Sequence, residues 1–98
     1  MRRETRFHGA PNIGFELGTQ LLSVGIDGLE RLADVGAKEA WLRLRVQFPG
    51  CNALRCLLAL QGAVDDLHLD QMSAHQIAEL RTWRLHHLNG EGAGLGDR

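Results

Sequence analysis

The chain has little of what most small functional domains advertise. Among 98 residues there are two cysteines, two prolines and a single lysine, and neither sign of charge predominates. Eleven Lys and Arg face twelve Asp and Glu, a formal net charge of −1. That balance excludes the strongly basic composition of a dedicated nucleic-acid binder, so any DNA contact has to come from a local patch. Cys51 and Cys56 fall at the start of one expected helix, on different faces, which argues against a disulfide. Both are read as reduced and structural, consistent with a cytoplasmic setting. The most apolar stretch, Leu57 to Val64, is too short to span a bilayer, and no apolar run follows Met1–Arg6 as it would in a signal peptide. No membrane contact is expected.

Catalytic and metal-binding patterns are missing too. The five histidines, His8, His68, His75, His86 and His87, match no metal or catalytic spacing, and all are read as surface residues. Adjacent His86 and His87 point about 100° apart on a helix and do not share one ion. Cys51 near a helix N-terminus could be an activated thiol, but no partnering histidine motif accompanies it. Ser23 and Ser73 lack the strand–turn–helix setting of a nucleophile. The reading is therefore non-enzymatic, with no catalytic residue, metal or cofactor.

What the chain does have is helical periodicity. Residues 1–9 read as a flexible tail, 10–88 as one helical domain, and 89–98, with four glycines in ten positions, as a disordered Gly-rich tail. The first helix follows Pro11-Asn12-Ile13-Gly14 and carries Leu17, Leu21, Leu22 and Val24. Gly25 at a left-handed position, with Ile26 folding back on Leu21, ends it. Asp27 and Glu30 form a capping box for a second helix whose Leu29, Leu32 and Ala33 point inward, and Gly36 ends that helix. A third runs from about Ala37 to Gln47, with Ala37, Ala40, Trp41, Leu44 and Phe48 as its buried stripe. Pro49-Gly50 breaks the chain, and Asn52 caps a fourth helix reaching about Asp66. That helix is apolar nearly all round, so it belongs at the centre of a bundle or at a subunit interface. Ser73 and Gln76 make a capping box for the last helix, which reaches about Leu88 with Ile77, Leu80 and Leu88 inward. Five helices with tight turns make an all-α domain of the helix-hairpin-helix or SAM-like kind.

Four segments, in order, carry a resemblance. They are Pro11-Asn12-Ile13-Gly14, Val24-Gly25-Ile26-Asp27-Gly28-Leu29-Glu30-Arg31-Leu32, Gly36-Ala37-Lys38-Glu39-Ala40-Trp41-Leu42-Arg43-Leu44, and Leu57-Leu58-Ala59-Leu60-Gln61-Gly62-Ala63. Their order and spacing resemble the C-terminal domain of the TfoX/Sxy competence regulators over about residues 10–88. The resemblance implies a role in bacterial DNA uptake and competence-gene transcription. Full-length regulators of that family also carry an N-terminal domain, so this chain is expected to be a stand-alone copy. Asn12 stands where DNA-binding hairpins have Gly, and Glu16 where they place a basic residue.

Two binding readings follow. A nucleic-acid module would hold backbone phosphate at the Asn12, Ile13 and Gly14 turn, supported by Lys38, Arg43, Arg45 and Arg55. The competing explanation for these residues is a packing turn and an ordinary solvated face. A protein-docking or self-associating module, a possible homodimer, would instead expose an apolar patch drawn from Leu42, Val46, Leu60, Trp83 and Leu85. The expected partner is a protein of the transcription machinery or DNA backbone; near-neutral charge and Glu16 favour a protein.

Overall fold

Glycine and asparagine set the first turns. In the computed structural model, which describes Phe7 and residues 10–96, with side chains of the last helix described to Leu88, Asn12 holds a left-handed φ of 68° before Gly14 leads into α1 (Phe15–Ser23). Gly25, at φ 86°, ends α1 as its sequence position predicts: Gly25 N–H donates to Leu22 O at 3.1 Å and Ile26 N–H to Leu21 O at 2.9 Å. These two bonds make a Schellman end, and they turn Ile26 into the core.

The second helix, α2 (Leu29–Val35), starts from extended Gly28 with no side-chain cap. The predicted Asp27–Glu30 box is therefore absent; helical backbone starts one residue after the position that box requires. Ala33 is exposed rather than inward, while Leu32 fills the core. Gly36, at φ 95°, both ends α2 and begins α3 (Ala37–Gln47). A 3-10 turn (Pro49–Asn52) links α3 to α4 (Leu54–Asp65), whose N-cap is Ala53. Asn52 does not cap α4, because both its oxygens are engaged by arginines described below. A second 3-10 turn (Leu69–Gln71) precedes α5 (Ala74–Gly96). The Ser73–Gln76 capping box forms in both directions, at 3.1 and 3.0 Å.

Five α-helices and no strand occur among the described residues, so the domain is all-α. Its apolar helix α4 lies at the centre and packs against α2, α3 and α5. Trp41, Leu21, Ile26, Leu32, Leu44, Leu57 and Leu60 are fully buried there. Two boundaries differ from the sequence reading. Phe7, assigned to a flexible tail, is buried in the core, because a large aromatic gains more from that burial than one fixed backbone segment costs. The other residues of that tail, and Asp97 and Arg98, lie outside the described residues. Helical backbone also continues past Leu88 to Gly96, through most of the stretch read as disordered; no proline follows Pro49 to stop it. No helix among the described residues is long and apolar enough to cross a membrane.

Candidate docking groove and hairpin turn

Asn12 sits in a turn whose side chain faces the protein, not solvent. Its Nδ2 donates to Leu67 O at 2.8 Å, and its Oδ1 accepts from Leu69 N–H at 3.0 Å. Across 55 residues of sequence, one amide thus clasps the loop that leaves α4. That loop is itself shaped by Asp66, at φ 60°, with Leu67 N–H donating to Gly62 O at 2.7 Å. This is a second Schellman end, built on Asp where Gly is usual. Gly62 is buried directly beneath. A Cβ there would stand 2.5 Å from Asn12 Nδ2 and 2.6 Å from Leu67 O. The small-residue step in α4 therefore lets the hairpin turn lie against the helix. Ile13 packs on the core, Gly14 is exposed, and Glu16 is exposed in the first turn of α1.

Beside the clasp lies an open groove of about 660 Å³. Half-buried Leu54, Leu58 and Leu69 line it, with exposed Arg55, His68 and Asp70 and the Asn12 amide. A smaller concavity along residues 10–14 shares Asn12 and His68 with it. The groove was not foreseen from sequence. Its leucines read as core, and only the fold separates the ones left half-covered.

The predicted basic residues do not form one face. Arg43 Nε pairs with Glu39 Oε2 at 3.1 Å, one helical turn away on α3. Arg45 lies two positions further, about 200° round the same helix. Its Nε donates to Asn52 Oδ1 at 3.0 Å, and its guanidinium covers the Trp41 ring at 5.2 Å. Arg55 is at the groove. Lys38 Nζ lies 5.3 Å from the centre of the Trp83 ring. Arg84, not singled out from sequence, joins Arg45 by donating to Asn52 O at 2.9 Å. The structure thus sets Lys38 on Trp83 and Arg45 on Trp41, joins Arg45 to Arg84 through Asn52, and leaves Arg43 and Arg55 elsewhere.

Trp83 meets Trp41 edge-on at 5.6 Å and stacks on His87 at 5.3 Å. His87 is therefore half-buried packing, not a surface residue as expected, because the i, i+4 spacing on α5 lays its ring on Trp83. His68, His75 and His86 are exposed, and His8 lies outside the described residues.

Of the predicted interface residues, Leu60 is fully buried and so presents no surface; it lies on the α4 side that faces the core. Leu42 and Trp83 are half-buried against that core. Val46 is 81% and Leu85 46% exposed. Sequence reasoning missed Phe15, which is 80% exposed at the start of α1, and assigned Leu22, also exposed, to the buried stripe. The signal was present: Phe15 and Leu22, seven apart, share one helical face, whereas Leu21 lies on another.

The cysteines do not share one helix as the sequence reading had it: Cys51 belongs to the 3-10 turn and only Cys56 to α4. Both are free thiols. Cys51 is buried and its Sγ donates to Gln20 Oε1 at 3.2 Å. Burial first, then the neighbouring Cys51 by charge and hydrogen bonding, pushes the Cys56 thiol from its ordinary 9.0 up to about 12. Cys56 then stays protonated in the folded state, so at pH 8 it should react with a thiol-specific disulfide reagent far more slowly than after denaturation. The raised value also sets a stability window. The contribution is complete below about pH 9 and is lost progressively as pH rises towards about 12, where the folded-state thiol ionises. Cys56→Ser should flatten that alkaline loss, read by urea titration at pH 8 and pH 10.

Comparison with known proteins agrees with this geometry. The profile of the TfoX C-terminal domain matches residues 3–84. Protein Sxy of Escherichia coli is 36% identical over 81 residues, which cover 80% of this chain and 37% of Sxy. The chain thus spans well under half the length of that relative. An uncharacterized protein from Listeria monocytogenes, solved in a triclinic crystal form, superposes with a TM-score of 0.75 at 32% identity, over 80% of this chain and 88% of that one. A Listeria monocytogenes protein of unknown function in a tetragonal form gives a TM-score of 0.76 at 31% identity, over 82% and 96%. The chain belongs to the TfoX C-terminal domain family.

Proposed function

We propose that the domain is a cytoplasmic, non-enzymatic docking module of the competence-regulator kind, working through contact with a protein. The resemblance to Sxy supports the link to DNA uptake and its transcriptional control. One observation carries the choice of a protein over DNA. The Asn12 side chain of the turn faces inward on Leu67 and Leu69 and offers a phosphate no donor, and an apolar groove opens beside it. Glu16 in the first turn of α1 adds a negative charge where a phosphate would approach. The partner expected at this groove presents an apolar side chain flanked by charge.

DNA-backbone contact is the second reading, through Asn12, Ile13, Gly14, Lys38, Arg43, Arg45 and Arg55. The observation that favours it is Lys38 lying over half-buried Trp83, with Arg84, next in sequence, tied to Arg45 through Asn52; cation and aromatic together are of the type that tracks nucleic acid. Fluorescence anisotropy of a labelled random duplex decides between the two. The docking reading expects no saturable binding at low salt, where electrostatic attraction is strongest. Saturable binding that weakens steeply with salt, and is lost in Lys38→Ala/Arg84→Ala, would overturn it in favour of the second.

A further inference from the structure

We infer that the groove at Leu54, Leu58 and Leu69 receives Phe15 from a second copy of this chain, giving a weak, symmetric dimer. The inference rests on the docking reading above and names the occupant.

Knob and socket are near neighbours along the chain, Phe15 standing three positions after Asn12. Phe15 follows directly on the 10–14 turn, and Asn12 of that turn lines the groove. A surface with both parts is self-complementary: the contact that places one Phe15 in the partner's groove is repeated by the two-fold axis. Phe15 is 80% exposed. Leu22, two turns along the same face of α1, is exposed beside it and lengthens the apolar strip. A groove of about 660 Å³ is large enough for an aromatic ring together with the chain around it.

Charge fits the same arrangement. Glu16 adjoins the knob and Arg55 adjoins the socket, and neither has an ion-pair partner among the described residues. Docking Phe15 brings the acid of one copy towards the base of the other. His68 and Asp70 complete the rim, and a charge exchange between Glu16 and Arg55 separates that pair from them.

The area is small. An aromatic side chain buries roughly 150–250 Å², so two knobs and their two sockets together bury roughly 600–1,000 Å². That is below the standard size of a specific interface and within the range of transient contacts, so the association is expected to be weak.

Sedimentation velocity of the full 98-residue chain, from about 10 µM to about 1 mM, tests this. The wild type should pass from monomer to dimer across that range. Phe15→Ala should weaken association roughly 30-fold or more, as loss of a buried aromatic anchor does. Glu16→Arg and Arg55→Glu should each weaken it, and the double variant should regain most of the loss. Phe15, Glu16 and Arg55 are all exposed, so each variant should fold, and circular dichroism is the check. A chain that stays monomeric to about 1 mM, a dimer indifferent to Phe15→Ala, or a double variant as weak as either single one would overturn the inference. A monomer would leave the docking reading standing, since that reading falls only with the duplex titration.

Discussion

Gly62→Ala should lower the stability of the domain by about 2–4 kcal/mol, although it adds one methyl group to a good helix position. By helix propensity alone, alanine would gain about 1 kcal/mol there. Packing reverses the sign. The new Cβ would fall 2.5 Å from Asn12 Nδ2 and 2.6 Å from Leu67 O. One neighbour is the hydrogen-bonded end of a clasp, and the other is a backbone carbonyl held by the end of α4. Neither moves without breaking the Asn12–Leu67 bond. In a domain of this size each kcal/mol shifts the melting midpoint by about 4–8 °C, so a fall of about 8–32 °C is expected in a thermal scan. A midpoint within about 3 °C of the wild type would show that the turn and α4 are not in contact as described.

The second large effect belongs to Asn12 itself. Asn12→Ala removes both hydrogen bonds, leaves Leu69 N–H without its acceptor, and places a residue with a Cβ and no compensating side chain at φ 68°. Lost bonds at about 1 kcal/mol each and a left-handed cost of about 1 kcal/mol give a total of about 2–3 kcal/mol. Asn12→Gly isolates the two contributions, because it keeps the backbone conformation and loses only the bonds. It should therefore cost less than Asn12→Ala. Asn12→Asp keeps the acceptor for Leu69 N–H but sets a carboxylate oxygen against Leu67 O, so it should rank with alanine or below. The two sites should also be coupled. In an Asn12→Ala background the clash at Gly62 is with Leu67 O alone, and Gly62→Ala should cost at least about 1 kcal/mol less than in the wild type.

These residues also mark where sequence reasoning reached and where it stopped. Gly25, Gly36 and the Ser73–Gln76 box were legible because their hydrogen bonds close within one turn, so neighbouring letters contain the whole interaction. Trp41, Leu44 and Leu57 were legible as core from helical spacing. The role of Asn12 was not, because its partners lie 55 and 57 positions away. Sequence showed only that Asn tolerates the left-handed turn, which leaves open whether its amide faces an anion or the protein. Asn52 failed for the same reason. A capping residue and an acceptor for Arg45 and Arg84 look identical until α5 is in place. Leu60 and Leu58 illustrate the limit for surfaces. Both sit in a helix that is apolar all round, and only tertiary packing buries one fully and leaves the other at a groove.

On the docking reading, the hairpin turn of this domain is a structural clasp beside the groove and holds no phosphate. Backbone amide shifts of isotopically labelled protein, followed while duplex DNA is added at low salt, test it residue by residue. The amides of Ile13, Gly14 and Phe15 should stay unmoved while the Asn12 side-chain amide keeps its hydrogen-bonded signal. Saturable shifts centred on Ile13 and Gly14, with loss of that Asn12 signal, would contradict it.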